Sequence, residues 1–422
     1  MKRIVASVGL VAVGVSGLQA GALSDLTTES GKPWTVSAAL RGFYDDNINT
    51  IPDKQPLLPG AHRSSTGFEV SPALQLSLPM EQTTVGFGYV YSLKYYQNRP
   101  QFNTDNYDQT HNISAALTHV FSERYQLAAR DSFVIGQEPD ILRAGSTYGT
   151  FQRISGDNIR NYGALTFSAQ LTPELGAEVG YANTLYDYAD PANAGLLNQL
   201  DHVAHLDGRY QLLPQTIGVV GYQFRETDYT GDQKTIVNGI TLKSDIRNAR
   251  SHYVYVGLDH NFRPDFTGSF RAGGRYTDYY NYLVAQSDFS PYAMASLKYT
   301  YLPESYVEAG FSYDYNAASV LALSAQSATL FAALHHRITP KLHGSIIAQF
   351  QNSAYYAGKN AAAYGGVAND TTDRFFLIGL NLQYRFTPNL SAEVGYNYDK
   401  LDSEGPNSWD RNRVYVGVTG SY

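Results

Sequence analysis

The chain has 422 residues, of which 43% are hydrophobic, 13% aromatic and 16% charged, with no cysteine and a net charge of −7. The charged fraction is below the roughly 25% usual for soluble domains, and the aromatic content excludes intrinsic disorder. A mean hydropathy of −0.30 excludes a bundle of membrane helices, each of which needs about 20 apolar residues in a row. The absence of cysteine excludes a disulfide scaffold. An all-β chain with alternating apolar and polar residues remains.

The first segment has the pattern of an export signal. Lys2 and Arg3 precede an apolar stretch over residues 4–18, and Ala20-Gly21-Ala22 has the A-x-A form of a cleavage site. The sequence therefore predicts a signal peptide over residues 1–22 and one β-barrel domain over residues 23–422. Removing the signal takes away two basic residues and no acidic one. The mature chain is then more acidic, so it is not expected to bind nucleic acid, which favours a basic face.

The rest of the chain shows period-two alternation in long runs. In residues 83–95, one face carries Val85, Phe87 and Tyr89, and the other carries Gly86 and Gly88. Such alternation predicts strands with one apolar face. The predicted strands cover residues 34–44, 66–78, 83–97, 107–120, 125–137, 159–171, 174–188, 199–212, 215–229, 247–262, 265–281, 287–302, 305–318, 325–338, 341–355, 372–386, 389–401 and 409–422. They are longer than the five or six residues typical of soluble sheets and match strands that span a membrane.

The connections alternate between short and long. Tight turns fall at residues 78–81, 121–124, 171–174, 213–215, 262–265, 302–305, 338–341 and 386–389, and all but the second contain proline. Proline fixes φ for a turn and cannot lie in a central strand. The long polar connections include residues 45–64, 138–158, 189–198, 230–246 and 353–371. This pattern predicts a transmembrane antiparallel up-and-down β-barrel in the bacterial outer membrane, with short periplasmic turns and long extracellular loops. The count is about 18 strands, within a range of 16 to 20.

The strand faces opposite the apolar ones carry charges of both signs. Charged side chains facing lipid are costly, so these residues are predicted to line the pore. The candidates are Arg41, Lys94, Arg130, Arg209, Arg225, Arg271, Arg275, Glu178, Glu308, Arg337, Arg385 and Glu393. They line a solute pathway, brace the interior by pairing across strands, or do both.

Two features of these faces are open to more than one interpretation. Arg225, Arg271 and Arg275 form either a basic ladder that attracts anionic solutes or salt bridges to Asp259 and Glu308. Asp131 falls on the apolar face of its strand, which a β-bulge or a lipid-facing interaction site would explain.

Tyrosines cluster in pairs near predicted strand ends, as at Tyr186/Tyr188 and Tyr253/Tyr255. Amphipathic rings favour the membrane interface, so most are expected to form aromatic girdles. Alternatively, some line the channel mouth and stack on sugar rings.

Signals for catalysis or metal binding are weak. Asp45, Asp46 and Asn47 follow the first strand and are the candidate ligands for a calcium ion, with a polar turn as the alternative. His202 and His205 lack a metal-ligand spacing with carboxylates, and neither G-x-S-x-G nor H-E-x-x-H occurs. The sequence predicts a protein that is not an enzyme and has no cofactor.

The segment that ends the first strand, Gly42-Phe43-Tyr44-Asp45-Asp46-Asn47-Ile48, resembles the Gram-negative outer-membrane family named putative β-barrel porin 2. The resemblance in length and in tyrosine-rich hairpins extends over the mature chain. It implies a role in exopolysaccharide export, with outer-membrane lipid, polysaccharide and periplasmic export machinery as partners.

We therefore predict an outer-membrane porin that passes hydrophilic solute, with carbohydrate or secreted exopolysaccharide as its cargo. The alternative from another class is a structural or adhesion barrel that displays its loops and has an occluded lumen. The glycine-containing loops 138–158 and 353–371 are candidates to fold inward and constrict or close the pore. A fatty-acid transporter barrel is disfavoured because too few residues precede the first strand to form a hatch.

Overall fold

The computed structural model describes residues 32–57, 62–99, 105–137, 156–232, 234–237, 240–282, 285–316, 324–356, 371–404 and 408–422. The predicted signal peptide over residues 1–22 lies outside these residues, as do most of the loops 138–158 and 353–371. The expected signal peptide and the expected inward folding of the two loops therefore stay predictions.

Nearly all of the regular structure is β-strand. The strands are β1 (Trp34–Asp45), β2 (Ser65–Pro79), β3 (Thr83–Tyr96), β4 (Tyr107–Ser122), β5 (Tyr125–Gly136), β6 (Asn158–Gln170), β7 (Leu175–Tyr188), β8 (Gln199–Leu213), β9 (Thr216–Tyr229), β10 (Lys234–Val237), β11 (Ile240–Lys243), β12 (Ala249–Arg263), β13 (Phe266–Asp278), β14 (Ser287–Leu302), β15 (Ser305–Asn316), β16 (Ser324–Arg337), β17 (Leu342–Tyr356), β18 (Thr372–Thr387), β19 (Leu390–Ser403) and β20 (Trp409–Ser421).

Eighteen of these strands form one closed antiparallel sheet. Each strand pairs with its neighbour in the chain, and β1 also pairs with β20, so no edge is left unpaired. The short strands β10 and β11 form a separate hairpin in the connection between β9 and β12, which pair directly. The predicted strand count and up-and-down topology are confirmed.

The connections alternate in length as predicted. The eight turns at one end of the barrel contain two to four residues, whereas the connections at the other end contain five to 21. The strand boundaries differ from the predicted ones by at most three residues, and some, such as those of β14, are identical. In bacterial barrels the short turns lie in the periplasm and the long loops face outward from the cell.

Side chains alternate strictly between the two faces of the wall. In β12, Tyr253 and Tyr255 are buried, while Val254 and Val256 are 61% and 59% exposed. The exposed side chains form a mostly apolar exterior, and the buried ones point into the barrel. A mostly apolar exterior around a sheet without edges is the structure that fits a lipid bilayer. The protein is therefore an outer-membrane β-barrel.

Within the part of the chain that the structure describes, helical structure lies in the extracellular connections. Helix α1 (Pro191–Leu197) begins after Asp190, whose side chain accepts a hydrogen bond from the Asn193 amide at 3.0 Å. A 3₁₀ turn (Ser244–Arg247) packs against this helix, with the Ser244 hydroxyl donating to the Gly195 carbonyl at 2.6 Å. Among the described residues, no helix is long and apolar enough to cross a bilayer.

Candidate functional site: the interior wall

The structure places all of the predicted pore-lining residues on the interior face of their strands. Residues that lie directly opposite each other on paired strands share a face. The sheet register therefore shows whether each of these residues lies on the interior or the exterior face. Arg130, for example, lies opposite Ala116 and Ala164, and Ala164 lies opposite the buried Ala182. The interior residues are Arg41, Lys94, Arg130, Arg209, Arg225, Arg271, Arg275, Glu178, Glu308, Arg337, Arg385 and Glu393.

The register connects four of these residues with five others into one row. Each member lies directly opposite the next on the neighbouring strand, from the periplasmic end of β16 to the extracellular end of β4. We call it the charge row. Its members are Arg337, His343, Gln383, Glu393, Gly417, Arg41, Glu69, Lys94 and Asp108.

Within the charge row, opposite charges pair. Arg41 Nε lies 2.6 Å from Glu393 Oε1, and its Nη1 lies 3.5 Å from Glu69 Oε1. Glycine at 417 makes room for this arrangement, because a Cβ there would come within 2.7 Å of Arg41 Cγ. Ser71 and Ser92 donate hydrogen bonds to Glu69 at 2.8 Å. These hydrogen bonds and opposite charges both offset the free-energy cost of removing the carboxylates from water.

The proposed basic ladder is paired with acidic residues. Arg271 lies 2.8 Å from Asp259, and Arg225 lies 3.0 Å from Asp201. Arg275 lies 3.4 Å from Asp314. The salt bridge to Asp259 is thus present, whereas the predicted partner Glu308 instead lies opposite Lys298 in the register.

The ion pairs follow the wall instead of crossing the barrel. Those within the barrel join strands that are neighbours or are separated by a single strand, as in Arg209 of β8 and Asp259 of β12, 2.8 Å apart. The same pattern is seen in the pairs that Arg41, Arg225, Arg271, Arg275, Arg411 and Arg413 form with acidic residues of the wall. The charges therefore neutralise one another along the wall.

One sector of the interior carries side-chain amides among the charges. We define the amide patch as Asn381, Gln383 and Asn397, on β18 and β19. All three are half-buried interior residues. Asn381 donates to Glu393 at 3.1 Å, and Gln383 donates to Ser391 at 3.3 Å. A half-buried amide such as that of Gln383 can donate to and accept from hydroxyl groups.

The tyrosine pairs divide between the two faces. Tyr253 and Tyr186 are completely buried in the interior, so for these pairs the predicted membrane girdle is wrong. Tyr253 donates a hydrogen bond to Asp314 at 3.2 Å, and Tyr255 donates to Asp207 at 2.6 Å. A phenol contributes bulk to the wall and a donor to the carboxylates, which is why these rings point inward.

The candidate calcium ligands Asp45, Asp46 and Asn47 have protein partners. Asp45 forms a buried salt bridge with Arg411, and Asp46 accepts from the Asn412 backbone and side chain at 2.6 and 2.7 Å. The Asn47 side chain donates to the backbone carbonyls of residues 51 and 410. These bonds fix the end of β1 against β20, and a cation bound at this position would have to displace some of them.

Asp131 lies on the exterior, as the alternation predicts. Strand β5 pairs in regular register on both sides of it, so no bulge explains its position. Its carboxylate accepts from Asn161 at 3.1 Å, and Asn161 accepts from Asn183 at 3.1 Å. Glycine at 163 leaves room for the cluster, since a Cβ there would come within 2.5 Å of Asn183 Oδ1.

Two ionisable groups outside the spanning strands have shifted pKa values. Glu304, in the turn before β15, accepts from His343 at 3.1 Å, which holds the pKa of its carboxyl below the usual range. Tyr280, in an extracellular connection, loses hydration and donates to Asp228 at 2.5 Å, and these effects raise its pKa to about 12.

The structure also assembles groups that the sequence spacing did not reveal. His205 lies beside Glu178 and Asp207 on the interior wall, although the sequence shows no metal-ligand motif. The one signal was the spacing of two between His205 and Asp207, which puts both on the same face of a strand.

Comparisons with known proteins concern the family and the fold. The family model described as "Putative beta-barrel porin 2" matches residues 323–422. No curated protein matches the chain. Among solved structures, OccAB4 of Acinetobacter baumannii is 11% identical, with 93% of this chain and 99% of that chain covered and a TM-score of 0.44.

Two further solved barrels are similar. The BenF-like porin from Pseudomonas fluorescens Pf-5 is 10% identical, covering 92% of this chain and 99% of that chain, with a TM-score of 0.45. OccK2 (OpdF) of Pseudomonas aeruginosa, solved in complex with glucuronate, is 11% identical, covering 92% and 98%, with a TM-score of 0.43. The chain is a porin-like barrel of the outer membrane, and the closed sheet with its apolar exterior and charged interior defines that class.

Proposed function

We propose that the protein is a passive channel for hydrophilic solutes, with carbohydrate, including secreted exopolysaccharide, as its cargo. A closed barrel of 18 strands is wide enough to enclose an aqueous path. Its interior is polar and its exterior apolar, as passage of a hydrated solute through lipid requires. No chemical step is part of this function, so we propose that the protein is not an enzyme.

The observation that carries the choice of cargo is the neutral character of the wall. Arginine and carboxylate groups pair with each other along it, as Arg41 does with Glu393 and Glu69. The paired charges give a passing ion little net field, while the amide patch offers hydrogen bonds to an uncharged solute. Sugar hydroxyls both donate and accept, so they suit such a surface.

Export of a polymer also implies a partner on the periplasmic side. The short turns there, such as residues 303–304 between β14 and β15, present paired charges. Arg337 lies 3.2 Å from Glu304 in this turn. We propose that periplasmic export machinery delivers the polymer at this end.

The test is block of single-channel current by neutral oligosaccharides in a planar bilayer. Q383L removes an interior amide and keeps the side-chain size. A lost hydrogen bond contributes about 0.5–1.5 kcal/mol, so the blocking constant should weaken about two- to tenfold. N352L is the matched control, because Asn352 lies on the exterior face of β17 opposite Arg374. Equal block of Q383L and the wild type would contradict a carbohydrate path along the amide patch.

A second candidate is the loop-displaying barrel with an occluded lumen. An apolar cluster at the extracellular end of β18, β19 and β20 favours it, because Phe375, Leu377, Leu401 and Trp409 are all buried in the interior. The extracellular connection after β1 reaches the same place, where the Asp53 amide donates to the Ser408 carbonyl at 2.8 Å. A folded protein that gives no current would favour this function.

A further inference from the structure

Three potential metal ligands converge on the interior wall between β7 and β8. Glu178, His205 and Asp207 are all buried, at 8%, 7% and 6% exposure. One ligand atom from each lies within 4.8 Å of the other two. Small changes of side-chain torsion would bring three such atoms onto one ion, since zinc binds nitrogen and oxygen at about 2.0–2.2 Å.

The strand register builds this cluster. Glu178 and Asp207 lie directly opposite each other, and His205 lies opposite Gly180. A Cβ at position 180 would come within 1.9 Å of His205 Cε1, so the imidazole lies over the space that glycine leaves. Glycine at 221 likewise leaves room for Asp207, whose Oδ1 would otherwise be 2.3 Å from a Cβ. Two glycines thus let the ligands approach one another.

The imidazole has an unused ligand atom that is aimed into the cluster. His205 Nε2 is fully enclosed and has no hydrogen-bond partner among the described residues. It lies 3.7 Å from Glu178 Oε1, too far for a hydrogen bond. A buried polar atom without a partner costs about 1–3 kcal/mol, and coordination of a cation would remove this cost.

Outer groups hold the two carboxylates in place. The Ser168 hydroxyl donates to Glu178 Oε2 at 3.3 Å, and the Tyr255 hydroxyl donates to Asp207 Oδ1 at 2.6 Å. Such second contacts orient metal ligands. Arg209 does not occupy the site, because it lies 4.0 Å from Glu178 and is engaged with Asp259 at 2.8 Å. Arg271, the other nearby cation, also pairs with Asp259.

We propose that Glu178, His205 and Asp207 form a binding site for a divalent transition-metal ion of the zinc class on the interior wall. One imidazole and two carboxylates form a ligand set that suits zinc and its neighbours, whereas calcium and magnesium favour oxygen ligands alone. Three protein ligands leave a fourth position for water. Bound metal would also join β7 to β8, and this site does not depend on the solute that the channel carries.

The experiment uses the full-length folded barrel in detergent micelles, without a polyhistidine tag. Zinc is titrated by calorimetry, and cobalt is added separately as a spectroscopic probe. We expect one zinc per barrel and visible absorption bands from bound cobalt. H205N removes a direct ligand, and since loss of even an outer contact weakens metal binding 10–100-fold, zinc affinity should fall by at least about 100-fold.

H202N is the matched control, because His202 lies on the exterior face of the same strand and pairs with Tyr181 at 2.7 Å. It should bind zinc as the wild type does. D207N is a second test if H205N does not fold, with folding judged by heat-modifiable gel mobility, and it should also lose the cobalt bands. Absence of zinc binding by the folded wild type, or equal binding by H205N or D207N, would overturn the proposal. Neither result depends on channel current.

Discussion

At the scale of single residues, the balance of charge in the interior depends on shared partners. Asp259 lies 2.8 Å from both Arg209 and Arg271, so one carboxylate compensates two guanidinium groups. Charges that pair within a polar wall fix side chains in place, but they do not attract ions over a distance.

Removal of this shared acid is expected to make the channel prefer anions. D259N leaves Arg209 and Arg271 with less opposing charge, and their field then acts on passing ions. We expect the chloride-to-potassium permeability ratio to rise about twofold in 0.1 M salt, where the screening length is about 10 Å, and to rise less at higher salt. Reversal potentials across a salt gradient measure the ratio.

D265N is the control for this change, because Asp265 pairs with the exposed Arg263 in a periplasmic turn at 3.3 Å. It should leave the permeability ratio nearly unchanged. An unaltered ratio in D259N would contradict the view that pairing, and not distance from the ion path, keeps these arginines from selecting anions.

The sequence predicted which side of the wall each charged residue occupies, but not its partner. The face follows from odd and even positions along a strand, so Arg275 was correctly placed in the interior. Its partner follows from the register of strands far apart in the chain, and Asp314 of β15 lies 3.4 Å from it, whereas Glu308 lies opposite Lys298. Arg41 reaches Glu393 only because the barrel closes. The His205 cluster was missed for the same reason.

At the scale of strands, the alternation was sufficient to locate all 18 barrel strands, because each must span the same apolar layer. The hairpin of β10 and β11 was predicted as loop, because four-residue strands contain too few positions to show a period. The exterior position of Asp131 was also predicted, and its regular register shows that β5 accommodates it without a bulge.

The depth of Asp131 in the membrane follows from the register. A row of directly opposite residues leads from Trp34 at the periplasmic end of β1 through Leu76, Phe87 and Ala115 to Asp131. Strands about 4.8 Å apart and tilted by about 40° rise about 3 Å along the axis at each step. Asp131 then lies about 12 Å from the periplasmic edge of an apolar belt that is about 25 Å tall, which is close to the middle of the membrane.

A carboxylate at this depth is expected to destabilise the barrel in lipid. D131N removes the charge and keeps an acceptor for Asn161, so the free energy of unfolding should rise by about 1 kcal/mol. Urea unfolding of the protein in lipid vesicles measures the change. D105N, in the connection before β4 and outside the span, is the control and should have no effect. If D131N is less stable than the wild type, the side chain of Asp131 does not face lipid alone. That result would favour a polar partner on the exterior.

At the scale of the whole molecule, three features act together. Closure of β1 on β20 removes the sheet edges, the apolar exterior fits the bilayer, and the paired charges make a polar interior without a large net field. The family match over residues 323–422 agrees with this architecture. We propose that the barrel encloses a path open to hydrophilic solutes.

Conductance of the wild-type protein in a planar bilayer tests that claim most directly, with folding verified by heat-modifiable gel mobility. If the path is open, the protein should give steady current steps that neutral oligosaccharides block more strongly as their chains lengthen. A correctly folded and inserted protein that gives no current steps would contradict an open path and leave the loop-displaying barrel as the better description.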